Sequence, residues 1–265
     1  MIRKNKDLND IPRSLSTEAE DIITNPARTT NERRLELIAE GKYIKGAKYD
    51  ERYKTKDIKE KLKLMYPTCC FCGVKDQQLE VEHYRPKSLY YWLAYSWDNL
   101  LYSCTKCNKA KLDKFEILGS KIAPKTDNDT TNINCLSDDY DVIEKPLLIN
   151  PEKVTAGELS EFIYTMDGHV SSDHPRVRYT INTCGLDRPN LVESRKAIWD
   201  EFTAYFNDRI LNYHNNPDAL YGAIDSLIRD FVNKAKDESS SFAAFRRYAV
   251  NAGWIQTLAD AMTVE

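Results

Sequence analysis

Residues 69–111 read CCFCGVKDQQLEVEHYRPKSLYYWLAYSWDNLLYSCTKCNKAK, and a Cys-x-x-Cys pair stands near each end of the stretch. Cys69 with Cys72, and Cys104 with Cys107, offer four thiolates in two knuckles, the donor set of a tetrahedral structural Zn2+ site. Between Cys72 and Cys104 lie 31 residues. Small zinc modules use roughly 15 to 20 there, so a folded element must fill the gap. Cys70 is an alternative to Cys69 with poorer spacing, and Cys135 and Cys184 read as ordinary buried thiols.

The gap holds the chemistry. Glu82 and His83 are adjacent, in a chain with only four histidines. A neutral imidazole accepts a proton from water near pH 7, which suits His83 as a general base. The Glu82 carboxylate and the Asn108 amide supply hard oxygens for a catalytic Mg2+ or Mn2+. Lys111, one helical turn beyond Asn108, shares its face and, with Arg85, is a candidate phosphate contact. Neighbours on a regular strand point to opposite faces. The strand in LEVEH must therefore end near His83 for both side chains to reach one site, as the approaching Pro86 suggests. The aromatic run YYWLAYSW is expected to pack against the protein rather than stack on bases.

The formal charge is −3, which argues against non-specific coating of nucleic acid. Between His83 and Lys114, however, Arg85, Lys87, Lys106, Lys109, Lys111 and Lys114 face only Asp98 and Asp113, a local excess of four positive charges. The N-terminal MIRKNKDLNDIPRSLS has no apolar core, and no apolar run reaches the roughly 18 residues of a membrane span. A cytoplasmic protein with reduced thiols is expected, with no membrane partner.

Four segments follow from the patterning. Residues 1–66 form a helical N-terminal region, with a capping box at Thr17 and Glu20, a helix over 31–40 stopped by Gly41, and a charged helix stopped at Pro67. Residues 67–120 form the zinc module. Residues 121–189 form a loop and β-hairpin region, with the turn at Asp167-Gly168. Residues 190–265 form a helical C-terminal region. Its core candidates are Leu191, Ile198, Phe202, Tyr205 and Phe206, then Leu220, Ile224, Leu227, Ile228 and Phe231. The fold class is mainly α with a small α+β insert, followed by a helical C-terminal bundle.

The order CCFCG, VEHYRPKS, WDNLLYSCTKCNKAK resembles the HNH endonucleases, and with PLLINPE and GLDRPNLVESR it resembles the PtuB family of Septu antiphage defence and its retron-associated relatives. The resemblance implies a ββα-metal module. In it Glu82 is a metal ligand, His83 the catalytic base, Asn99 the residue that ties down the loop, and Asn108 the second metal ligand. Glu replaces the commoner Asp, and Asn the commoner final His. It further implies a metal-dependent nuclease acting on DNA beside an ABC/SMC-type ATPase of the PtuA kind. The alternatives are an RNA- or tRNA-cleaving effector of a retron-type system, and a zinc-stapled adaptor of the ATPase that cleaves nothing.

Overall fold

The computed structural model describes residues 1–16, 20–21, 28–44, 52–75, 78–124 and 133–261. Among them the chain is mostly helical, with strands only in short antiparallel pairs. A two-residue pair, β1 (Glu20–Asp21) with β2 (Arg28–Thr29), leads into α1 (Thr30–Glu40). The capping box that starts α1 is Thr29 with Glu32, each side chain bonded to the other's backbone N–H. The expected box at Thr17 lies outside the described residues, and Glu20 belongs to a strand instead of a helix. Gly41 ends α1 in the left-handed conformation (φ 68°), as the sequence predicts. After a 3-10 turn over Arg52–Lys54 comes α2 (Lys56–Met65), which buries Ile58 and Leu62.

The centre is a ββα unit. Strand β3 (Leu79–His83) pairs antiparallel with β4 (Leu100–Cys104), in a register that sets Glu82 opposite Leu101 and His83 opposite Leu100. Helix α3 (Thr105–Lys111) follows β4 directly and packs on both strands. The long β3–β4 connection is filled by its own aromatic residues. Tyr90, Trp92, Tyr95 and Trp97 are all buried, so the run packs as expected.

Beyond this unit come α4 (Ser137–Glu144), α5 (Ala156–Ser160), the pair β5 (Ile163–Tyr164) and β6 (Val170–Ser171), and α6 (Pro175–Cys184). The turn between β5 and β6 holds Gly168 at φ 91°. A Cβ built there would lie 2.2 Å from the Val192 carbonyl oxygen, so only glycine lets the hairpin sit on the next helix. That helix is α7 (Pro189–Tyr213), followed by α8 (Pro217–Lys236), α9 (Ala243–Asn251) and α10 (Trp254–Ala261). Proline opens α6, α7 and α8 at a first-turn position, where no intrahelical N–H is lost.

Each of these last helices packs on the next, through a knot of aromatic rings. Phe202 lies 4.7 Å from Phe231, and Trp199 lies 5.2 Å from Trp254, centroid to centroid. Tyr205, expected inside, is about half exposed, and Leu220, Ile224, Leu227 and Ile228 are only partly covered. The far ends of α7 and α8 extend past the core, which leaves their apolar stripes half clothed. Cys135, expected to be buried, is exposed. Even so, buried apolar residues form one connected cluster from Met1 to Trp254, so the cysteine-flanked module shares its core with both flanking regions.

Candidate active site and metal centre

Strand β3 ends where a shared site requires it to. Its pairing with β4 stops at His83, and the backbone beyond is redirected by Asn99. The Asn99 Oδ1 accepts from the Arg85 N–H at 2.7 Å, while its Nδ2 donates to the carbonyls of Arg85 (3.1 Å) and Leu93 (3.2 Å). One buried amide thus fastens the turn after His83 to the far end of the aromatic connection. With the strand ended, Glu82 and His83 line the same cleft instead of opposite faces.

His83 is buried, and its ring meets Tyr53 edge-on at 4.5 Å. Its Nε2 lies 3.0 Å from the Ala94 carbonyl oxygen. A carbonyl only accepts, so in the neutral ring Nε2 carries the hydrogen and Nδ1 keeps its lone pair. Burial, and after it the charge of Lys87, hold this imidazole well below its ordinary pKa; Lys111 and Lys54 push the same way, against the Ala94 bond. At neutral pH His83 is therefore uncharged.

Glu82 is buried too, and desolvation raises its carboxyl pKa while Lys111 opposes the rise. The Lys111 ammonium is fully buried and donates to Glu82 Oε1 and to the His83 carbonyl, both at 2.7 Å. Lys111 thus fixes the Glu-His pair from behind instead of reaching a phosphate. Arg85, the other expected phosphate contact, is also wholly buried. It pairs with Glu144 at 2.9 Å and Asp141 at 2.6 Å on α4, enclosed by Tyr84, Tyr90, Phe115 and Tyr140. Both corrections have one cause: a buried carboxylate stands within reach of each cation, and a paired charge is the only kind a core tolerates. The local excess of positive charge shrinks accordingly, since two of its six cations are paired inside.

Asn108 is half-buried, lines the cleft with Glu82 and His83, and donates from Nδ2 to Glu80 Oε2 at 3.3 Å. Its Oδ1 is the atom left for a ligand. Two hollows meet at these residues, of about 380 and 490 Å3. Glu82, His83, Lys87 and Asn108 are common to both. The first is completed by Tyr53, Lys54 and Lys59, and the second by Tyr43, Ser88 and Leu112. Sequence reasoning missed Tyr53, Lys54 and Lys59, because they come from before the module and no spacing rule ties them to it.

The knuckles converge as the spacing predicts. The Sγ atoms of Cys69, Cys72, Cys104 and Cys107 all lie within 4.8 Å of one another, and Cys70 is not in the group. Four sulfurs at about 2.3 Å from a tetrahedral zinc stand about 3.8 Å apart. The Cys72–Cys104 separation is 3.8 Å. The set fits zinc. Arg188, at the N-terminus of α7, lies over it: its guanidinium donates to Cys107 Sγ at 3.4 Å, Cys104 at 3.8 Å and Cys72 at 3.9 Å, and to the carbonyls of Cys184 and Gly185. Four thiolates around a bound Zn2+ would leave two negative charges, of which this cation would offset one.

The module is a ββα unit with a Glu-His pair ending its first strand and a four-cysteine cluster bracing it, and over residues 68–114 it matches the family of HNH endonucleases. Likeness to Septu proteins extends beyond the module. The chain is 29% identical to the Septu protein PtuB of Bacillus mycoides (strain KBAB4) over 184 residues, 62% of this chain and 58% of that protein. It is also 27% identical to the Septu protein PtuA of the same strain over 169 residues, 57% of this chain and 22% of that protein. The match thus spans somewhat over half of PtuB and less than a quarter of PtuA.

Proposed function

We propose that the chain is a metal-dependent endonuclease of an antiphage defence system, with DNA as its substrate. The observation that carries this reading is the His83 ring: Nε2 is held by the Ala94 carbonyl, while Nδ1 remains as base in a cleft shared with Glu82 and Asn108. Water gives its proton to Nδ1 as its oxygen forms a bond to phosphorus, and the bond from phosphorus to the 3′ oxygen breaks in line. The products carry 5′-phosphate and 3′-hydroxyl ends, the latter taking its proton from solvent.

Glu82 and Asn108 are the residues suited to hold Mg2+ or Mn2+, which supplies positive charge to the phosphate oxygens. Lys111 takes only Oε1 of Glu82, and the amide of Asn108 keeps its oxygen, so each has a donor to offer. Zn2+ on the four cysteines is structural. Asn99 positions the turn and touches no substrate. The family resemblance adds an ATPase partner of the PtuA kind. The likeness to PtuA itself is a likeness to part of that protein, and co-purification from the native operon tests the partnership. Among the described residues no helix is long and apolar enough to cross a membrane.

The test is digestion of plasmid DNA and total RNA with Mg2+ or Mn2+ by wild type and His83→Ala. DNA cleavage lost in the variant supports the reading. RNA cleavage lost in the variant moves the substrate to RNA with the same residues. Cleavage retained by His83→Ala removes His83 from the mechanism.

A further inference from the structure

With Arg85 and Lys111 buried, the cations that face the reactive centre come from elsewhere. Lys54 closes the 3-10 turn before α2, Lys59 stands exposed on the first turns of α2, and Lys87 follows Pro86 in the module. All three line the 380 Å3 hollow beside His83. Their arrangement is tied to the ring that packs on the base. The Lys54 ammonium lies 5.5 Å and the Lys87 ammonium 5.1 Å from the centre of Tyr53, whose edge meets His83. Lys87 is also 5.3 Å from Tyr43.

Charge is divided unevenly between the two hollows. Among the described residues the α2 side is lined by three lysines and two carboxylates, Glu80 and Glu82, and Glu82 also pairs with Lys111. On the other side Asp113 and Leu112 accompany Lys87. A polyanion entering this cleft is drawn to the α2 side.

We propose that Lys54, Lys59 and Lys87 form a phosphate-binding wall, contributed largely by the N-terminal region, that holds the sugar–phosphate backbone of the substrate strand beside the scissile bond. This rests on the nuclease reading above. The wall explains how an acidic chain engages nucleic acid: the positive charge is gathered in space from separated segments, and the module alone lacks most of it.

The experiment measures binding, so that it is independent of turnover. The full chain carrying His83→Ala is titrated with fluorescein-labelled oligonucleotides, DNA and RNA, single-stranded and duplex, over a range of salt. Each phosphate contact contributes about 0.7 to 0.9 to the slope of log K against log salt. Adding Lys54→Gln, Lys59→Gln and Lys87→Gln together is expected to lower that slope by about two to three. Lys106→Gln with Lys109→Gln, also exposed and basic but on α3 outside the cleft, is expected to leave it unchanged. An unaltered slope in the groove variant, or an equal fall in the α3 variant, overturns the wall while the nuclease reading stands. No binding of any oligonucleotide by the His83→Ala chain overturns both. Circular dichroism of each variant identifies loss of fold, and single substitutions at Lys59, the most exposed of the three, then carry the comparison.

Discussion

In the proposed reaction His83 acts only when Nδ1 is unprotonated, so a pKa held below the ordinary 6.5 keeps it active down to mildly acid pH. The acid limb of kcat/KM against pH is expected below that value. Lys87→Gln removes the largest charge opposing protonation, and should move the limb upward, toward neutrality. A limb that stays put would leave the depression to burial and to the charges of Lys111 and Lys54. Lys111 makes a different prediction. Its removal leaves Glu82 buried with no cation, and breaking such a pair costs about 3 to 5 kcal/mol. Lys111→Met should lose that much in urea unfolding, and Glu82→Gln added to it should recover part. That Glu82, His83 and Asn108 share a cleft is legible from their spacing around the knuckles. Which neighbouring cations face solvent is not, because burial depends on carboxylates that the fold brings up. For Arg85 these lie 56 and 59 positions away in the chain.

Among the elements, β3 is legible from the β-prone LEVEH and α3 from the helical spacing of Asn108 and Lys111. Strand β4, which ends at the second knuckle, is expected only through the resemblance to a ββα-metal module. The 3-10 turn that delivers Tyr53 and Lys54 has no local cue, and reads simply as part of a charged helix. The capping box observed at Thr29 and Glu32 carries the same pattern as the one expected at Thr17 and Glu20, and pattern alone does not rank them. Helix α4 is a brace whose purpose appears only in three dimensions. Through Glu144 and Asp141 it holds Arg85, two residues past His83, in a cage of aromatic rings. Glu144→Ala leaves the buried guanidinium with one partner fewer, and is expected to cost about 3 kcal/mol or more in stability. In the fraction that remains folded, kcat should fall more than KM rises, because the turn after His83 loses one of its two fastenings. Steady-state kinetics with a thermal unfolding curve checks both.

Taken as one body, the protein joins its cysteine-flanked module to its C-terminal helices at the four cysteines. Arg188 bridges three sulfurs to the end of α6, so the metal site and the seat of α7 are held by one guanidinium. Outer-shell partners of this type are worth about 10- to 100-fold in metal affinity. Arg188→Gln should therefore lose zinc to a colorimetric chelator at least about tenfold faster than wild type. Equal release would make the guanidinium a bystander.

That bridge also sets an order of events. Residues near the start bind at places made much later. The Lys4 N–H donates to the Pro151 carbonyl, its ammonium pairs with Glu238, and Lys6 reaches the carbonyls of Trp97 and Leu100. During synthesis these lysines emerge long before their partners. Arg188 likewise arrives well after the four cysteines it covers. A growing chain therefore holds Glu82 and His83 before it holds Lys111, which steadies them, and the cysteine cluster stays uncovered until Arg188 is made.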